Sequence, residues 1–196
     1  MALGKQAKIL TKPQTDAVLA YLSTTRYPLR DRVIFLLSVK AGLRAKEIAS
    51  ITWSMVTDAE GRLIDLISLT DNASKGRGGR SIPINKDLKV ALEAWKSEAE
   101  KRIRPSPFVV TSERGGQTSA MVIVNKFAGW YRMLGFVGAS SHSGRRTFIT
   151  NAARRISTVG GSLRDVQLLA GHSALGTTQR YIEADGLAQK QVVDLI

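Results

Sequence analysis

The chain has 196 residues, with 29 Lys plus Arg against 16 Asp plus Glu, a formal charge of +13, and no cysteine. With 43% apolar residues, a single domain of this length buries roughly 70% of the surface its unfolded chain exposes, so its core needs no metal or disulfide staple. The missing cysteines exclude a disulfide framework, a thiolate metal site, an Fe–S cluster and a Cys nucleophile. Met1 to Leu10 lacks the apolar core of a signal peptide, and Val33–Leu37 is far too short to span a bilayer, so a soluble intracellular protein is expected. A pI near 10.4 calls for a polyanionic partner, with nucleic acid favoured over an anionic membrane surface.

In chain order, Thr11 with Pro13 in the first turn opens a helix whose Val18, Leu19 and Leu22 share one face. A second helix runs from about Leu29 and stops at Gly42, and a short one follows with Ile48 and Ile51 inward. Arg62–Thr70 reads as a strand, Asp71-Asn72 as a turn, and the glycine-rich Gly76–Gly79 leads into a second β segment, Ser81–Ile84. The three- and four-residue spacing of Leu88, Ala91, Leu92, Trp95 and Ala99 predicts an amphipathic helix over Asp87–Ile103, ended by Pro105 and Pro107. Ser119–Leu134 repeats the pattern. From His142 onward, three or four short helices are punctuated by glycines, with Ser162 and Asp165 as a capping box. Trp53, Trp95 and Trp130 are expected in the core, and Tyr21, Tyr27 and Tyr131 with their hydroxyls at the surface.

The basic residues sit beside Gly, Ser or Thr, the setting of phosphate-contacting loops and helix ends: Arg44, Lys75, Arg77, Arg80, Arg145, Arg146, Arg154, Arg155 and Arg180. The only two histidines lie in His142-Ser-Gly-Arg145 and Gly171-His172-Ser, thirty residues apart, so no metal site is expected and no cofactor motif appears. His142 and Arg145 share a face if their segment is helical. Tyr181 follows His172 by nine residues, and upstream Arg44 has a carboxylate, Glu47, three residues on.

Arg44, Lys75, His142-x-x-Arg145, Gly171-His172 and Tyr181, in that order and ending in Thr177-Thr178-Gln179-Arg180-Tyr181, resemble the tyrosine recombinase (phage integrase) family from about Thr11 to the C-terminus. Each motif alone is weak, but their order and spacing together are specific. The resemblance implies an α+β, mainly α catalytic fold with a small antiparallel sheet. It also implies metal-independent DNA cleavage and rejoining through a 3′-phosphotyrosyl intermediate, as in site-specific recombination or integration by a mobile element. Physical chemistry agrees with that assignment. Two guanidinium forks can neutralise a phosphodiester, and a tyrosyl ester stores the energy of the broken bond for religation.

By the same resemblance, Tyr181 is the nucleophile, Arg44 and Arg145 hold the phosphate, and His172 hydrogen-bonds it. His142 assists proton transfer at the tyrosine. Lys75 protonates the leaving 5′ oxygen, either with a lowered pKa or as a charged donor, with Arg77 as its nearest rival. Glu47 holds the active-site arginine or histidine in place, and Arg77, Arg80, Arg146 and Arg180 are candidate DNA contacts. The expected partner is double-stranded DNA. The expected state is a monomer in solution and a homo-oligomer, a tetramer, on DNA, coupled by docking of the 187–196 tail on a neighbouring copy or folded back on its own domain. The location is cytoplasmic, at the nucleoid of a bacterial or phage system, with no membrane role. The whole chain, 1–196, reads as one catalytic domain without the family's N-terminal core-binding domain. A DNA-binding regulator of the same fold, or a type IB topoisomerase-like activity, are the alternatives.

Overall fold

The computed structural model describes residues 7–70, 79–101, 105–182, 190 and 193–194. Lys75 and Arg77 lie outside the described residues, as does most of the 187–196 tail. Helix α1 (Lys12–Leu22) starts as its sequence requires: the Thr11 hydroxyl accepts from the Gln14 amide, the Gln14 side chain accepts from the Thr11 amide, and Pro13 sits in the first turn. Helix α2 (Pro28–Val39) is buried without interruption from Val33 to Val39, so it is the central rod around which the other elements pack. After it come α3 (Ala45–Ser50), a 3₁₀ turn at Trp53–Met55, and the two antiparallel strands β1 (Leu66–Leu69) and β2 (Arg80–Pro83), which pair Leu66 with Pro83 and Leu69 with Arg80.

Helix α4 (Lys86–Glu100) packs on α2 and α5 (Ala120–Met133) on α3, followed by α6 (Ser143–Arg155), a 3₁₀ turn at Ile156–Val159, α7 (Leu163–Ala170), which touches β2, and α8 (Leu175–Gln179). The expected mainly helical α+β fold with a small antiparallel sheet is therefore observed.

Three expectations change. The first strand is shorter than Arg62–Thr70, because the Asp58 carboxylate accepts from the amides of Glu60 and Arg62 and closes a separate turn bridged at Thr57 and Leu63. Trp53 is only partly buried, at the rim of a hollow it shares with Phe108 and Pro105, whereas Trp95 and Trp130 are buried as expected. Tyr131 is 2% exposed, its ring lies beside those of Phe127 and Phe136, and its hydroxyl is enclosed with no hydrogen-bond partner among the described residues. Burial pushes that phenol's pKa well above its ordinary value.

The apolar residues form two cores of unequal size. The larger is centred on α2 and takes in α1, α3, the sheet, α4 and α5. Among the described residues, the smaller has Ile149, Val166 and Ala170 fully buried, with Phe148, Ile156, Leu163 and Tyr181 packed around them. Helix α6 joins the two. It lies directly on α2 because Gly144 has no side chain: a Cβ there would overlap Ser38. Gly42, at φ +66° just past the end of α2, would likewise drive a Cβ into the Phe148 ring. Both glycines thus bring the α6 segment that carries Arg145 against the carboxyl end of α2.

Candidate active site

Arg145 sits in the first turn of α6 and is 4% exposed. Its guanidinium donates to the Gly42 carbonyl at 2.5 Å and the Ala170 carbonyl at 2.7 Å, so the ends of α2 and α7 clamp it in one orientation. A third contact, at 3.1 Å, joins Arg145 to His172 Nε2. Burial first, then neighbouring Arg44, lowers the Arg145 pKa from its usual 12.5, but a guanidinium keeps its charge at neutral pH. The group is a fixed cation with donors to spare, since a guanidinium carries five N–H groups.

Arg44 is the residue that precedes α3, and Glu47 lies at the third position of that helix. The Glu47 carboxylate, 1% exposed, accepts from the Arg44 amide at 2.7 Å and from the Arg44 guanidinium at 3.0 Å. The first bond caps the helix and the second aims the side chain. Arg80 reaches the same carboxylate from β2 in a bidentate fork of 2.8 and 3.0 Å and donates its Nε–H to the Leu169 carbonyl at 3.1 Å. Burial alone would raise the Glu47 pKa, yet Arg80 and Arg44 together hold it below the usual carboxylate value.

Arg80 therefore ties three segments together: the hairpin, α3 with Arg44, and the end of α7 that leads into Gly171-His172. Gly171, at φ +61°, ends α7 in the left-handed conformation, and a side chain there would strike the Arg80 guanidinium.

His172 follows directly. Its backbone carbonyl accepts from the Gln167 amide group at 2.9 Å, its Nδ1 lies 2.9 Å from the Thr178 hydroxyl, and its ring stacks on Tyr181 with centroids 5.5 Å apart. Arginine can only donate, so Nε2 accepts from Arg145 and the ring proton resides on Nδ1, pointing at Thr178. Burial, then Arg145, Arg44 and Arg80, lower the His172 pKa to about 4, so the ring is neutral at pH 7.

Tyr181 follows α8, its backbone amide bonded to the Thr178 carbonyl and its own carbonyl accepting from the buried Thr150 hydroxyl. Its ring borders an open hollow of about 250 Å³ that His142, Arg145, Arg146, Thr177 and Arg180 also line. Five of the residues singled out in the sequence, His142, Arg145, Arg146, Arg180 and Tyr181, thus share one cavity, and His172 touches two of them. His142 is the exposed residue that precedes α6, on the same side as Arg145. Glu47 holds two arginines and neither histidine.

Arg80 departs from its expected place as a DNA contact. Its side chain is 9% exposed and turned inward, its guanidinium engaged by Glu47 and Leu169. The signal was present in the strand alternation, since Arg80 shares a face with Ile82, which is buried. Thr178 and Gln167, the two residues that hold His172, were not singled out. Nothing in the spacing distinguished Gln167, whereas Thr178 lay inside the run that ends in Tyr181.

Residues 8–186 match the Phage integrase family. The chain is 30% identical over 156 residues to tyrosine recombinase XerD of Pseudomonas putida, covering 78% of this chain and 49% of the relative. It is also 30% identical over 179 residues to tyrosine recombinase XerA of Thermococcus onnurineus, covering 89% and 57% respectively. It spans about half the length of these curated relatives. Among solved structures, the fold is similar to XerA recombinase, with a TM-score of 0.75 at 19% identity over 95% of this chain and 64% of that one. It is similar to a lambda integrase dimer bound to a COC′ core site, with a TM-score of 0.69 at 18% identity over 94% and 62%.

Proposed function

The chain belongs to the phage integrase family, and from that premise we propose that it cuts and rejoins double-stranded DNA through a covalent 3′-phosphotyrosyl bond at Tyr181. The observation that carries the reading is the shared hollow: Tyr181 borders it beside the buried Arg145, while His172 is bonded to that arginine and stacked on that tyrosine. A phosphodiester in the hollow meets a guanidinium that is already oriented, so charge gathering on the non-bridging oxygens is met without reorganisation. Arg44, aimed by Glu47, supplies the second fork.

The Tyr181 oxygen attacks phosphorus, His142 at the cavity rim takes part in moving the phenolic proton, and the 5′ oxygen leaves. Lys75 protonates that oxygen in this scheme. The two arginines do the charge neutralisation that a metal would otherwise perform, so the reaction is written without one.

XerH recombinase has been solved on its difH substrate, and Tn1549 integrase on transposon end DNA. The +13 charge of this chain suits the same kind of partner. Arg146 and Arg180, which line the same hollow, are the candidates for backbone phosphates flanking the scissile one. The reaction is site-specific recombination or integration, carried out by an oligomer that forms on DNA through docking of the 187–196 tail on a neighbouring copy, at the nucleoid in the cytoplasm. No helix among the described residues is long and apolar enough to cross a membrane.

The test is a duplex nicked near the target site, so that the cleaved end diffuses away and the covalent product accumulates. A protein–DNA band that survives denaturing electrophoresis supports the reading. Binding with no such band on any duplex containing the element's ends refutes it and leaves a DNA-binding regulator.

A further inference from the structure

The His172 ring faces a conflict between its present bonds and the part it plays in the proposed reaction. Among the described residues its Nε2 is an acceptor, taken by Arg145, because the guanidinium has nothing but donors to offer. A phosphate oxygen is itself an acceptor, so the same Nε2 must carry a proton to bind one. The other ring nitrogen decides whether that exchange is open. Nδ1 lies 2.9 Å from Thr178 Oγ1, and Thr178 is 0% exposed, on the short helix α8 that ends just before Tyr181. A hydroxyl both accepts and donates, which a carboxylate or a backbone carbonyl in that place would not do.

We propose that Thr178 is a positioning residue that holds His172 in the Nδ1–H tautomer when the site is empty and, by turning its hydroxyl, supports the Nε2–H tautomer when an oxyanion enters. In the first state Nδ1–H donates to Oγ1 and Nε2 accepts from Arg145. In the second, Arg145 turns its donor to the oxyanion, Oγ1–H donates to Nδ1, and Nε2–H donates to the oxyanion. The ring stays neutral throughout: one proton leaves Nδ1 to solvent and one arrives at Nε2 from solvent, with no heavy atom of the ring displaced. Because Thr178 is only three residues before Tyr181, the hydroxyl that sets the tautomer travels with the nucleophile. The ring therefore becomes a phosphate donor only when α8 is seated. The oxyanion half of this proposal rests on the phosphate-binding reading of the hollow, whereas the empty-site half does not.

The chain has two histidines, so the ring nitrogens of ¹⁵N-histidine-labelled protein are resolvable by NMR, with His142→Gln as the assignment control. The expected result is a protonated Nδ1 and an acceptor-type Nε2 for His172 at neutral pH, kept in Thr178→Ser. In Thr178→Val, which has the same shape without the hydroxyl, the Nε2–H population rises at least threefold while the His172–Tyr181 ring contact persists. Adding inorganic phosphate moves wild type and Thr178→Ser towards Nε2–H, and moves Thr178→Val by a smaller change.

An unchanged tautomer ratio in Thr178→Val, or a Thr178→Ser protein that behaves like it, overturns the assignment. No phosphate response in wild type at any concentration the protein tolerates overturns the second half alone. Absence of covalent DNA adduct in wild type would refute the proposed activity and leave the empty-site measurement to decide the role of Thr178.

Discussion

Replacing Arg80 by Met removes a guanidinium while leaving a side chain of similar length to fill its space. The Glu47 carboxylate, 1% exposed, then loses its bidentate partner and, among the described residues, keeps the amide and one guanidinium bond of Arg44. Breaking a buried ion pair from one side costs about 3–5 kcal/mol, and the surviving Arg44 bonds place this case near 3 kcal/mol. With a urea m-value of about 2 kcal/mol per molar, the unfolding midpoint should fall by roughly 1.5 M.

The loss depends on pH. In the wild type the folded-state pKa of Glu47 is depressed, so its stabilising charge is fully present above its ordinary value of 4.5 and is lost as pH falls through the depressed folded value. In Arg80→Met burial wins and the pKa rises above 4.5, so the carboxylate is relieved as pH falls through that raised value, and the gap between the two proteins narrows from there downward. Adding Glu47→Gln removes the stranded charge, and the double variant should lose less than the sum of the single losses by about 2 kcal/mol. Additivity within about 0.5 kcal/mol, or a gap that does not change with pH, would refute the account of Arg80 as the clamp on Glu47.

Tyr131→Phe removes a buried hydroxyl that has no partner among the described residues, so urea unfolding should show a protein as stable as wild type or about 1 kcal/mol more stable. A loss above that size would mean the hydroxyl is satisfied. The His172 pKa is lowered from 6.5 to about 4, so the stability its neutral ring contributes is complete above pH 6.5 and lost as pH falls towards 4. His172→Gln should therefore show a flatter stability profile between those values, and parallel profiles would contradict the buried neutral ring. If Lys75 protonates the leaving oxygen, Lys75→Ala should fail on an ordinary phosphodiester but recover on a 5′-bridging phosphorothiolate, whose sulfur leaves without a proton. Recovery in Arg77→Ala and not in Lys75→Ala would move the role along the loop.

Where local chemistry alone decides, the chain could be read directly. Thr11 and Gln14 announce the start of α1, and the spacing from Leu88 to Trp95 announces the buried face of α4. The site residues were legible as a set because order and spacing survive in a linear sequence. What joins them was not, because the bonds span long separations. Arg145 rests on Gly42, 103 residues away, and Arg80 on Leu169, 89 residues away. Arg80 is the instructive case: company with glycine and neighbouring basic residues suggested a solvent-facing contact, and only its register with Ile82 carried the sign that it turns inward. Tyr131 misled for a related reason, since tertiary packing enclosed a hydroxyl that usually finds water.

The most direct test of the central claim is to trap the covalent complex on a nicked duplex, digest it with protease and nuclease, and sequence the nucleotide-bearing peptide by mass spectrometry. The account predicts a 3′-nucleotide on Tyr181, within the peptide that follows Arg180, and no adduct from Tyr181→Phe although that variant still binds DNA. A nucleotide found on any other side chain, or a Tyr181→Phe protein that still forms the adduct, would contradict it.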